Sequence, residues 1–464
     1  MRINKSIVFV SAAIHFVKYH YLIGEKLEER GVNVAYVTYS KEAANFLRKK
    51  GCEVSYIPDV IKDYKIKDSI ENALKKIEEK NDVNTNLILF GDYDHSFMRR
   101  EKAVKSMIKN FMFWENYLKN KKVDVIFGCV ERFIGMIPHA VAKKYDAKHI
   151  HWTRAVIPNH FVLTEDQSGH WSTLDKYWEK NKNKKLTQEE RKKANEIIND
   201  ITEKRRSLYL VVGIPKITLS EIFFFFKRLY LNIFVEKLRN PYARVIGIAL
   251  DKIRKSIKKY ITIPLYSKPD YNEKYFFQPL HVENDAQILV RAPQYYDPVA
   301  LISYVAKCLP TGYKLYVEEH PNNRGGMPIK TLLKIKRIPH VKLIHPSTHA
   351  HDLIKNVSCI TTINNTIGWE GLLYKKPVIN FGPCFYEISG LTYPLRDLEK
   401  LPETIKKALT KEDFKEEELL KFVNAVSKSV YPGNLNFYYK HAKTAMVDEN
   451  ISLIAEGIYK ELMK

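Results

Sequence analysis

The sequence predicts an α/β fold: two Rossmann-like, doubly wound domains of mainly parallel strands, with a helical insertion between them. Three observations carry this. Apolar runs of strand length alternate with glycine-stopped helical segments over residues 1–166, the same alternation resumes from residue 269, and it breaks in between. A chain of 464 residues, 45% of them hydrophobic, also exceeds what one ordinary core encloses. The expected division is a domain over 1–166, an insertion over 167–268, a second domain over 269–400 and closing helices over 401–464.

In the first domain a strand over 6–10 leads to a helix over 20–30 stopped by Gly31, then a strand over 33–38 to a helix over 41–49 stopped by Gly51, then a strand over 53–57. The apolar run 87–90 reads as a further strand and 97–118 as a long amphipathic helix. A strand over 123–127, a helix over 133–145 and a strand over 148–152 complete the series.

Through the insertion, residues 182–193 are densely charged, and Ile222 with Phe223, Phe224, Phe225 and Phe226 is followed by Lys227-Arg228-Leu229-Tyr230. Two readings stand side by side. Aromatic anchors beside Lys227, Arg228, Lys237 and Arg239 suit an anionic membrane surface, giving peripheral contact through 222–239. Four consecutive aromatics also cover every face of a helix, as in one buried between domains.

The second domain reads as strand 275–277, helix 298–308, strands 314–317 and 341–344, helix 350–356, strand 359–363, helix 367–374 and strand 377–381. Helices over 416–428 and 451–464 are expected to close it.

Composition excludes several classes. The five cysteines are odd in number, widely spaced and without a Cys-x-x-Cys pair, so neither a disulfide framework nor a zinc knuckle is indicated. The opening residues and the short run 7–10 lack the apolar stretch of a secretory signal, and no later run approaches the roughly 18 apolar residues of a spanning helix. The expectation is a cytoplasmic protein, peripheral at the inner face of the cell membrane. A net charge of +23 fits nucleic acid, anionic lipid or an acidic small molecule such as a sugar nucleotide. The first βα turn, Ser11-Ala12-Ala13-Ile14-His15-Phe16, has no Gly-x-Gly-x-x-Gly, and no Walker loop occurs, which disfavours a dehydrogenase and excludes P-loop hydrolysis.

The most informative stretch is the β-branched run from Cys359 through Asn364-Asn365-Thr366 into Ile367-Gly368-Trp369-Glu370. Asn365 or Thr366 is a good N-cap, and helix N–H groups there point out of the carboxyl edge of the sheet, where they attract phosphate. Glu370, one turn in, is placed to accept from ribose hydroxyls or to be a solvated glutamate. Glu318-Glu319-His320-Pro321 follows a strand to the same edge, and a histidine there can donate to a departing phosphate. His345-Pro346 repeats the dipeptide, and at least one of the pair is expected to be a simple strand-end turn.

Taken together, Pro279-Leu280-His281-Val282-Glu283, the Leu309–Pro321 region ending in Glu319-His320-Pro321, Asn364–Leu373 and Lys376-Pro377-Val378-Ile379 resemble capsule polysaccharide biosynthesis proteins in order and spacing. The resemblance implies a GT-B fold, two Rossmann-like domains facing a cleft, and transfer of a sugar such as Kdo from a CMP donor. It matches Glu319, His320 and Pro321 to the donor phosphate, Asn365, Thr366, Gly368 and Glu370 to the phosphate-and-ribose turn, and His281 and Glu283 to the segment between domains. Two positions depart from the family pattern: Glu318 stands where lysine is common, and Asn284-Asp285 where Pro-Glu is common.

The implied function is a metal-independent, cofactor-free glycosyltransferase with a nucleotide-sugar donor, CMP-sugar before UDP-sugar, and a polysaccharide or glycolipid acceptor. His15 is the first choice for the base that receives the acceptor's proton and Glu131 the next, with Asp92 and Asp94 behind them. Asp92-Tyr93-Asp94 is too short a match to argue for a metal. Rival readings are a CDP-glycerol-type phosphotransferase, a sugar-nucleotide epimerase, an inactive scaffold and a basic nucleic-acid-binding protein; no nucleic-acid module is recognisable, so no nucleic-acid partner is expected.

Overall fold

Four consecutive apolar residues, Ile7-Val8-Phe9-Val10, demand burial on both faces of a strand, and all four are buried in the computed structural model, at the centre of a sheet. The structure describes residues 5–205, 218–410, 414–436 and 442–464. The expected insertion therefore lies partly outside the described residues, at 206–217, as do residues 1–4 of the expected first domain. The chain divides into two units: one of residues 1–165, 217–247 and 430–464, the other of 166–216 and 248–429.

In the first unit, β1 (Ser6–Ser11), β2 (Asn33–Thr38), β3 (Glu53–Tyr56), β4 (Val125–Gly128) and β5 (Lys148–Arg154) run parallel. β6 (His160–Thr164) turns back antiparallel on β5 and is paired at its other edge by Tyr431–Pro432. The order is Tyr431–Pro432, β6, β5, β4, β1, β2, β3. Helices Ile14–Glu28 and Asp448–Leu462 pack together over one face of this sheet, and Arg100–Asn120 and Arg132–Ala142 over the other.

The second unit holds a sheet in which every pairing is parallel: β7 (Lys274–Pro279), β8 (Tyr313–Glu318), β9 (Val341–Ile344), β10 (Cys359–Thr362), β11 (Val378–Asn380) and β12 (Tyr393–Pro394), in the order β12, β11, β10, β7, β8, β9. Helices Pro298–Cys308, Ala350–Asn356 and Glu416–Lys428 have the bounds the sequence predicts. Both units are thus α/β layers built on parallel-dominated sheets.

Several expectations change. Residues 87–90 belong to a helix, Thr85–Phe90: the Asn84 side chain accepts from the N–H groups of Asn86 and Leu87, and Leu87 and Phe90 lie exposed, so the run pays no packing reward as a strand. The last helix packs in the first unit, not the second. The insertion is shared between units: helices Ser172–Asn181 and Gln188–Thr202 go with the second, Leu219–Tyr230 with the first. No residue of Leu219–Tyr230 is buried, which overturns the reading of the phenylalanine run as a buried helix.

Candidate functional site

A pocket of about 280 Å³ opens at the carboxyl edge of the second unit's sheet, close to the small end of the ~300–1,000 Å³ typical of ligand sites. Four segments build it: the end of β7, the end of β8, the loop from β9 into helix Ala350–Asn356 and the turn from β10 into helix Thr366–Leu373. That is where a parallel α/β sheet leaves backbone groups unpaired, because each strand stops and its chain turns away.

The helix turn is held by its own side chains. Asn365 is the N-cap, its Oδ1 accepting from Ile367 N at 3.0 Å, while its N–H donates to Thr362 Oγ1 at 3.1 Å. Thr366 is the first helical residue. Gly368 lies against Tyr386, whose hydroxyl donates to Asn365 O at 2.8 Å; a Cβ at 368 would collide with that hydroxyl. Its role is close approach, and it does not line the pocket.

Glu370 is 3% exposed and lines the pocket with its Oε2 3.4 Å from His351 Nε2, so the solvated-glutamate reading fails. Burial pushes its acid up to about 8. His351 is oriented from its other nitrogen, which lies 2.9 Å from the Tyr374 hydroxyl.

At the end of β8 successive side chains point opposite ways. Glu318 enters the pocket, also 3% exposed, and Oε1 meets no donor among the described residues. Burial, then the charge of Glu370, pushes it up to about 8. Glu319 points away and is fully buried, accepting from the Tyr266 hydroxyl and from Met327 N at 3.4 Å; it ties down the loop that follows. Pro321 lines the pocket and opens the short 3-10 turn Pro321–Asn323.

His320 caps that turn: Nδ1 accepts from Asn322 N at 3.1 Å. The proton of the neutral ring therefore sits on Nε2. Burial lowers the His320 pKa, with Asp285 opposing, so the neutral form holds at pH 7. His281 stands beside it with its Nε2 buried and unpartnered among the described residues; burial takes it down to about 4, against Asp285 and helped by His320. Glu283 faces Lys258 and Lys255 outside the pocket lining, its acid raised by burial. His345-Pro346 is the strand-end turn, His345 Nδ1 accepting from Ser347 N at 3.1 Å. Sequence reading noted Glu318 only as a departure from the family pattern and did not single out His349 or His351, yet all three line the pocket; the signal available for the two histidines was the short spacing His349-Ala350-His351 after a strand.

The first unit carries the remaining candidates. His15 is exposed in the first turn of helix Ile14–Glu28, at the end of β1. Glu131 is the residue before helix Arg132–Ala142, at the end of β4, with no side-chain cap bond. Asp92 is fully buried and structural: it accepts from Phe133 N at 2.8 Å, His95 N at 3.0 Å and the Tyr242 hydroxyl at 3.0 Å. Asp94 pairs with Arg132 at 3.2 Å and Arg244 at 3.6 Å. Among the described residues no group of three or more His, Cys, Asp or Glu converges as a metal site, and no helix is long and apolar enough to cross a membrane.

Residues 239–416 match the family model described as capsule polysaccharide biosynthesis protein, the family the motifs resemble. The capsule polysaccharide export protein KpsS of Escherichia coli is 29% identical over 135 residues, 27% of this chain and 34% of that protein. The capsule polysaccharide modification protein LipB of Neisseria meningitidis is 28% identical over 127 residues, 26% of this chain and 30% of its own length. The matched region thus spans about a third of these curated relatives. Among solved structures, the β-Kdo 2,7-transferase of KpsC from Thermosulfurimonas dismutans aligns over 78% of this chain and 98% of its own at 12% identity, with a TM-score of 0.40.

Proposed function

We propose that this chain is a metal-independent glycosyltransferase of capsule-type polysaccharide biosynthesis, holding the nucleotide of an activated sugar in the pocket of its second unit. The observation that carries the reading is the buried Glu370 and the Nε2-protonated His320 converging on one pocket at a helix N-terminus, inside the stretch that matches the capsule family.

The N-terminus of helix Thr366–Leu373, with Asn365 and Thr366, receives phosphate, which such a terminus favours by about 0.3–1 kcal/mol, and up to ~2 when partly buried. Glu370 accepts from a ribose hydroxyl. His320 donates its Nε2 proton as a hydrogen bond to the phosphate oxygen on which charge grows as the sugar–oxygen bond breaks. Because its pKa is lowered, it acts as a neutral donor and not as an imidazolium. His281 supports His320; Glu283, Glu319, Pro321 and Gly368 keep the cradle's shape. The acceptor oxygen attacks the sugar carbon and yields its proton to a base, His15 before Glu131, from the first unit. CMP-sugar is favoured over UDP-sugar, and a polysaccharide or glycolipid is the acceptor, on the strength of the family resemblance.

The surface of 222–239 extends this proposal to a peripheral membrane contact. Phe223, Phe224, Phe226, Tyr230 and Phe234 are 56–68% exposed, with Lys227, Arg228, Lys237 and Arg239 exposed among them. Apolar anchors interleaved with cations complement an anionic bilayer. Flotation with phosphatidylglycerol vesicles is expected to carry the protein upward, and Phe223→Ser/Phe226→Ser to leave it in the pellet fraction; equal flotation of both refutes the contact.

Thermal shifts with CMP, CDP, UDP and GDP test the donor site, since a ligand at 100 times its Kd stabilises by about 2.7 kcal/mol. A cytidine shift lost in His320→Ala and Glu370→Ala is the expected result. A uridine-specific shift would replace the CMP donor, and no shift with any nucleotide would remove the donor-site reading.

A further inference from the structure

Two buried carboxyl groups share the pocket, one from β8 and one from the helix after β10. They are close enough for the charge of Glu370 to oppose ionisation of Glu318. No lysine or arginine is among the described residues lining the pocket; the titratable groups facing the pair are His320, His349 and His351. His351 serves Glu370, at 3.4 Å, while Glu318 Oε1 has no donor. A buried acceptor left unsatisfied costs free energy that only an incoming donor recovers.

The chemistry of that donor is constrained. A phosphate oxygen only accepts, so it cannot supply the hydrogen that an unpaired carboxyl oxygen lacks. An ammonium group needs an ionised partner, whereas burial holds both acids in their protonated range up to about 8. Neutral O–H donors satisfy the oxygens without adding charge, and two adjacent hydroxyls match two adjacent carboxyls.

Resting on the nucleotide-pocket reading above, we propose that Glu318 is a specificity-determining residue, which with Glu370 forms a two-carboxyl clamp for a vicinal diol. Each carboxyl takes one hydroxyl, Glu318 through its vacant Oε1. The diol is carried by the ribose of the nucleotide or by the transferred sugar, and the pocket's size admits one such ring with its neighbouring phosphate.

The test is calorimetric binding of CMP and UMP, their 2′-deoxy and 3′-deoxy forms, and UDP-glucose beside UDP, to the wild type, Glu318→Leu and Glu318→Gln. A ribose diol predicts that removing one hydroxyl weakens wild-type binding about 10-fold or more, the scale of a hydrogen bond to a charged or strongly polar buried group. Glu318→Leu then loses the preference at one of the two hydroxyls, and Glu318→Gln, which keeps an acceptor oxygen, retains part of it. A merely structural Glu318 would change ribo and deoxy forms equally. A sugar diol predicts no ribo/deoxy difference but a UDP-glucose advantage over UDP that vanishes in Glu318→Leu. If nucleotides bind and Glu318→Leu leaves both preferences intact, the clamp is refuted while the donor site stands. If no nucleotide binds the wild type, the donor site and the clamp fall together.

Discussion

Glu318 and Glu370 hold their protons to about 8 because burial removes the water that would stabilise the carboxylates, and in the unfolded chain they release them near 4.5. The stability they contribute is therefore complete below 4.5 and is lost as pH rises through about 8, the reverse of a salt-bridged carboxylate. Opening free energies of β8 and helix Thr366–Leu373, from amide exchange at pH 5, 6.5 and 8 corrected for the intrinsic rate, are expected to fall with pH more steeply in the wild type than in Glu318→Gln; parallel slopes would count against the buried pair. At His320 the tautomer matters more than the charge, since Asn322 N occupies Nδ1 and leaves the proton on Nε2. His320→Ala is expected to lower turnover by roughly 10²-fold or more, and His320→Gln, which keeps an N–H, to recover part of it without a new pH limb; a Gln variant as dead as Ala argues for proton transfer. At this scale His320 was legible from Glu319-His320-Pro321 and Glu370 from the turn at Asn365-Thr366, but the place of Glu318 in the pocket was not. Adjacent Glu318 and Glu319 differ only in which face of β8 they leave by, and Leu315, Tyr316 and Val317 are fully buried on both faces, so no polar alternation marks the register.

The element whose role the sequence hid most is the segment after helix Leu219–Tyr230. Glu236 is buried and sits at the N-terminus of helix Lys41–Lys49, where it accepts from Lys41 N at 2.7 Å, Glu42 N at 3.3 Å and Ser40 Oγ at 2.9 Å, with the Tyr56 hydroxyl at 3.2 Å. The N-terminus of this helix, a place that suits an anion, is thus filled by the chain's own carboxylate. Tyr242 to Asp92 and Arg239 to Asp59, both at 3.0 Å, add two more polar anchors. These straps hold the segment in place while Leu219–Tyr230 keeps its aromatic side chains unburied. Glu236→Ala is expected to cost about 1–2 kcal/mol, the range of a lost N-cap with its dipole partner, seen as faster amide exchange over residues 41–43, with Glu236→Gln intermediate. Unchanged exchange would mean that Ser40, the N-cap whose Oγ accepts from Ala43 N, carries the helix end alone. Charge patterning gave no hint of this, because one glutamate among many cations reads as solvated. The same ambiguity made 87–90 look like a strand: four apolar residues carry no period, and only the Asn84 cap distinguishes a helix start.

At the scale of the molecule, periodicity revealed both sheets and most of their strands, yet not how the chain distributes itself between them. An amphipathic stripe states that a helix must be covered and is silent on which surface covers it. Helix Asp448–Leu462 follows the second sheet in sequence, but its Ile451, Ile454, Ile458 and Leu462 bury into the first unit's core with Val17, Ile23 and Leu27 of helix Ile14–Glu28. The short strand Tyr431–Pro432 carries the chain back by pairing with β6, and Gly433, at φ +148°, fits closely against Phe161 and Ile454, where a Cβ would clash. The last helix is thus part of the first unit's folding unit despite standing some 280 residues from β6. Ile454 is fully buried, and Ile454→Ala should cost about 2–5 kcal/mol. Because a chain of two units need not unfold in one step, a single midpoint is the wrong readout, and hydrogen exchange resolved by segment is the right one. The expected result is lost protection in β1, β4, β5 and helix Ile14–Glu28, with β7, β8 and β10 unchanged and nucleotide binding in the second unit's pocket retained. Equal loss across β7, β8 and β10 would show that the helix stabilises the chain as a whole, and the assignment of residues 430–464 to the first unit would fail as a statement about energetics.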